Sequence, residues 1–68
     1  MAEGLRNHIR AAREEQGWTQ AELAERMGVS RKTVNTVENG VFIPSTIVAL
    51  KAARALGRSV EDLFALVD

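Results

Sequence analysis

The sequence predicts a compact all-α domain, a bundle of five short helices, and three observations carry that prediction. Apolar residues recur at intervals of three and four along most of the chain, the spacing of one helix face. Residues that cap helix starts are followed about a helix length later by glycine, at Thr19 and Gly28 and again at Ser45 and Gly57. The chain carries no linker, internal repeat or low-complexity segment, so residues 1–68 form one domain.

Leu5, Ile9 and Ala12 give a first helix over about residues 4–16, ended by Gly17. Thr19 opens a second, and Glu22 three residues later completes a capping box that serves the first free amides. Leu23, Ala24 and Met27 form its apolar face, and Gly28 stops it. Ser30 caps a third helix over about residues 30–39, with Val34 and Val37 on one face and Asn39-Gly40 at its end. Pro44 disfavours helical geometry at Ile43, so Val41-Phe42-Ile43-Pro44 is a loop. Ser45 caps a fourth helix bearing Ile47, Leu50, Ala53 and Leu56, closed by Gly57. Ser59 and Asp62 are a weaker capping pair for a last helix with Val60, Leu63, Phe64 and Val67.

Composition narrows the function classes. A 68-residue chain buries only about 60% of its unfolded surface, so its core is marginal without help. With no cysteine and one histidine, His8, neither a disulfide nor a zinc site supplies that help. Tight helix packing or oligomerisation remains. No apolar run approaches the roughly 18 residues of a membrane span, and the N-terminal segment lacks the apolar stretch of a signal peptide. A cytoplasmic protein that does not engage membrane is expected. No catalytic constellation, cofactor motif or metal-ligand spacing is present, so an enzyme is not expected.

The stretch from 19 to 40, TQAELAERMGVSRKTVNTVENG, carries the functional signal. Two capped helices joined by Gly28-Val29-Ser30 have the grammar of a DNA-reading helix-turn-helix. Ala24 is small where the two helices should cross, and Val34 and Val37 can pack beside Leu23 and Met27. At about 100° per residue, the face opposite Val34 and Val37 carries Lys32, Asn35, Thr36 and Asn39, with Arg31 on its flank. Arg and Lys can donate to guanine, Asn can pair bidentately with adenine, and a threonine methyl can touch thymine. This helix is rich in poor helix formers, which argues that its exposed positions serve something other than helix stability. Gln20, at the amino end of the second helix, is placed to hold a phosphate oxygen together with free amides.

The segments WTQAELAERMGVSR, TV, ENG, PS and ALG, in that order and spacing, resemble the phage repressor and Cro type of helix-turn-helix, the XRE family, from about Leu5 to Phe64. The resemblance implies a lambda-repressor-like DNA-binding domain and assigns Gln20, Asn39 and the Gly40 amide to phosphate. It also implies a partly buried structural ion pair between Arg13 and Glu38, and a core position for Trp18. Arg6 and Arg10, one turn apart on helix one, are candidates for backbone contact, with a solvated face the preferred reading for both.

Formal charge stands against a simple electrostatic reading: Lys plus Arg and Asp plus Glu are nine each. Their placement matters more, and Arg31 and Lys32 have no acid within five residues on either side. Because one such motif reads few base pairs, the expected form is a homodimer on an inverted-repeat operator, acting as a transcriptional repressor on double-stranded DNA. Leu63, Phe64, Leu66 and Val67, within an element of about residues 59–68, are the candidate dimer interface. The alternatives are an antitoxin or restriction-controller protein on the same scaffold, with a toxin or other protein regulator as partner, and an interaction module that has lost DNA binding. The apolar Phe42-Ile43 loop favours the last.

Overall fold

The chain ends meet as strands, which the helical spacing did not anticipate. The computed structural model describes residues 4–41 and 43–67. Its elements are β1 (Leu5–Asn7), α1 (Ile9–Glu15), α2 (Gln20–Met27), α3 (Arg31–Glu38), α4 (Thr46–Leu56), α5 (Val60–Leu63) and β2 (Phe64–Leu66). The fold is therefore mostly helical with a small sheet, not all-α. β1 and β2 pair antiparallel, with Leu5 opposite Leu66, Arg6 opposite Ala65 and Asn7 opposite Phe64. His8 N donates to Leu63 O at 2.8 Å and Val67 N to Gly4 O at 2.7 Å, extending the pairing at both ends.

Both terminal helices are consequently shorter than expected. The Asn7 side chain accepts from Ile9 N at 3.3 Å and donates to Val37 O at 3.0 Å, so the chain turns into α1 only at Ile9. After α5 the backbone becomes extended at Phe64. A short apolar run such as Leu63–Val67 suits either helix or strand by pattern alone; here the partner strand decides. Leu63, fully buried, and Phe64 belong to the domain's own core, while Leu66 and Val67 are exposed. Of the four proposed interface residues, the first two thus face inward and are already covered.

The helix boundaries otherwise follow the caps. Thr19, Ser30, Ser45 and Ser59 each accept from a backbone amide three residues on, each cap contributing on the order of 1 kcal/mol. Thr19 and Glu22 form the full reciprocal box. Gly28, at φ 73°, occupies the left-handed conformation that ends α2 and turns the chain into α3.

The core gathers Ile9 and Ala12 of α1, Leu23, Ala24 and Met27 of α2, Val34 and Val37 of α3, Ala52 and Leu56 of α4, and Leu63 and Phe64. On α4 the inward face is Ala52 and Leu56, flanked by Val48 and Ala49, whereas Ile47 and Leu50 are more than half exposed. Trp18 packs against the core with the Arg26 guanidinium 4.1 Å above its ring. Phe42 lies outside the described residues, and its neighbour Ile43 is exposed. No helix among the described residues is long and apolar enough to cross a membrane.

Candidate nucleic-acid interface

α3 has two unlike faces because its apolar residues fall three apart. Val34 and Val37 are buried against the core, and Arg31, Lys32, Asn35 and Asn39 are exposed. Positions 32, 35, 36 and 39 make one stripe along the helix. Thr36 in that stripe is half-buried, and its hydroxyl donates to Thr33 O at 3.0 Å. What it offers outward is its methyl group and hydroxyl lone pairs. Arg31 and Lys32 have no ion-pair partner among the described residues.

Glu38, the one acid of α3, is withdrawn from this surface, with its side chain 0% exposed. Arg13 holds it through two bonds, Nε to Oε2 at 2.6 Å and Nη2 to Oε1 at 3.1 Å. Arg13 Nη1 also donates to Trp18 O at 2.8 Å, fastening the turn between α1 and α2. Burial pushes the Glu38 carboxyl up, but hydrogen bonds from Arg13 and Gln20 and the nearby Arg13 charge outweigh it and hold it below its ordinary value. The same hydrogen bond raises the Arg13 guanidinium. The charge therefore stays ionised inside the domain and leaves the exposed face of α3 basic and polar.

Two further side chains meet Glu38. Gln20 Nε2 donates to Oε1 at 3.1 Å, and Asn35 Nδ2 donates to Gln20 Oε1 at 3.4 Å. Arg10 Nε donates to Glu38 Oε1 at 3.3 Å and its Nη2 to Asn39 Oδ1 at 2.8 Å. Arg10 is thus bound rather than simply solvated. Its three-residue spacing from Arg13 on α1 was the sequence signal for this, since residues so spaced share a face. Arg6 is exposed on β1 instead of on helix one. His8 is exposed at the start of α1.

Beside α3, an open cleft of about 270 Å³ is lined by Lys32, Thr36, Ile43, Ser45 and Val48, among others. Ser45 there caps α4, its side chain accepting from Val48 N. Among the described residues no group of three or more His, Cys, Asp and Glu side chains is placed to hold a metal ion.

Comparison with known proteins agrees with this geometry. A helix-turn-helix family model matches residues 9–63. An uncharacterized HTH-type transcriptional regulator of Methanothermobacter thermautotrophicus is 52% identical over 63 residues, covering 91% of each chain. The N-terminal DNA binding domain of SinR from Bacillus subtilis superposes with a TM-score of 0.75 at 31% identity, covering 79% of this chain and 80% of that one. Antitoxin HipB of Escherichia coli O6:H1 is 32% identical over 56 residues, 82% of this chain and 60% of HipB. The chain belongs to the XRE-type helix-turn-helix family of DNA-binding transcriptional regulators.

Proposed function

We propose that the protein is a sequence-specific repressor that binds an inverted-repeat operator as a homodimer, with α3 in the major groove. The observation that carries this reading is the withdrawal of Glu38, which leaves Arg31, Lys32, Asn35 and Asn39 as the exposed chemistry of one helix. Fixed basic charge on that face attracts phosphate despite the balanced total. Arg31, Lys32, Asn35 and Thr36 read bases in this scheme, while Gln20 and Asn39 meet the backbone. The SinR domain, named as DNA binding, shares the fold that presents such a helix.

In the proposed dimer the contact runs through Leu66 and Val67, exposed on and beside β2, with Leu63 and Phe64 supporting them from the core. A symmetric pair sets two recognition helices about 34 Å apart. Selection of bound duplexes from a random pool tests the whole scheme. An inverted repeat at about one-turn spacing is expected, with bases relaxed in Asn35→Ala. Folded protein that enriches no sequence at low salt would end the repressor reading, and a monomer at high micromolar concentration by ultracentrifugation would end the dimer.

A second reading has its own support. HipB is named an antitoxin, and Val41, Ile43, Ile47 and Leu50 leave apolar side chains exposed around the start of α4. Capture of a toxin by this chain is the expectation that follows. The reading fails if a co-encoded toxin neither binds the chain nor is inhibited by it.

A further inference from the structure

Glu38 can only accept hydrogen bonds while ionised, and that restriction propagates outward through the side chains that meet it. Gln20 must turn its NH2 toward the carboxylate, so its oxygen faces the other way. Asn35 must then turn its own NH2 toward Gln20 Oε1, as the 3.4 Å contact records. One Nδ2 proton is used in that bond. The other, together with the unengaged Oδ1, forms an edge that donates and accepts side by side. The Arg10 guanidinium imposes the reverse order on Asn39. It can only donate, so Asn39 Oδ1 is taken at 2.8 Å and its NH2 has no partner among the described residues.

We infer that Glu38, through Gln20 and Arg10, sets which way two amides on α3 face. Asn35 is thereby made a reader of adenine, and Asn39 a donor to phosphate oxygen. Adenine N6 donates and N7 accepts in the major groove, matching the Asn35 edge in the orientation that Gln20 holds. Guanine, with two acceptors, matches only half of it. Phosphate oxygens accept only, which suits the NH2 of Asn39. An asparagine free to rotate has no such preference before binding. Glu38 and Gln20 are positioning residues here, and the effect on base choice is theirs at a distance. The inference rests on the proposed reading of DNA by α3.

The test uses the full chain and a random duplex pool, comparing the parent with Asn35→Ala and Gln20→Leu. Gln20→Leu leaves the Arg13–Glu38 pair in place, so the fold is kept, and circular dichroism checks this. The parent should select adenine at one position per half-site, the position that Asn35→Ala relaxes. Gln20→Leu should lower adenine preference at that same position by about tenfold, leaving preferences elsewhere unchanged. Equal loss of affinity for all sequences with adenine preference intact would overturn the inference and make Gln20 a phosphate contact alone. A parent that enriches a motif with no Asn35-dependent adenine would also overturn it while the repressor reading stands. A parent that enriches nothing would remove both.

Discussion

Arg13 and Glu38 bind through a 2.6 Å Nε–Oε2 contact and a second bond at 3.1 Å, joining the first helix to the end of the third under almost complete cover. A carboxylate so placed needs donors around it, because burial without them costs several kcal/mol. Removing Arg13 leaves Glu38 with Arg10 and Gln20. Arg13→Ala should therefore cost about 3 kcal/mol, the low end for a broken buried pair. Urea unfolding measures it; a loss within 0.5 kcal/mol, the usual scatter of surface changes, would show the pair to be structurally idle.

The pH dependence follows from the same carboxyl. Its folded value lies below its unfolded one, so the unfolded chain binds the proton more readily. The stability it supplies is present above the unfolded value and is lost as pH falls through the folded value. Glu22, lowered mainly by its hydrogen bond from the Thr19 backbone, adds to the same acid limb. Thermal melts from pH 7 downward should show decreasing stability below about pH 5, and a flatter limb in Glu22→Gln than in the parent. Parallel limbs would remove Glu22 from the account.

Asn39 is expected to contact phosphate as a neutral donor. Asn39→Ala should weaken binding about equally on all duplexes without changing the dependence on salt, since no counterion is released by an amide. Lys32→Ala, which removes a positive charge from the helix in the groove, should flatten that dependence by roughly one unit of slope. Titrations at four salt concentrations separate the two behaviours.

Gly4 lets the two chain ends approach. A Cβ built there would sit 2.8 Å from Val67 Cβ and 3.0 Å from Val67 O. Gly4→Val should separate the strands at a cost of about 1–3 kcal/mol. Hydrogen exchange at the His8 and Val67 amides should accelerate first, while α2 and α3 keep their protection. Unchanged exchange at Val67 would show that the pairing tolerates a side chain.

Much of the fold was legible because its signals are local. Thr19-Glu22, Ser30 and Ser45 satisfy amides within three residues, and Gly28 changes the backbone direction at its own position. The two faces of α3 follow from spacing alone. The strands were not legible: the partner of Phe64–Leu66 lies at the other end of the chain, and a three-residue strand has too short a pattern to announce itself. The orientation of α4 was missed for a related reason. Ile47 and Leu50 are more apolar than Ala52, yet only the neighbours of α4 decide which side is covered.

The sequence by itself determined where four helices begin, where the chain turns, and which residue types α3 can present. Those properties depend on side-chain and backbone chemistry a few residues apart. Tertiary structure alone decided that the ends pair as strands, that Leu63 and Phe64 are covered while Leu66 is not, and that Gln20 joins the Arg13–Glu38 pair. Burial and hydrogen-bond partners in these cases come from segments distant in sequence, and only packing the helices together brings them within reach.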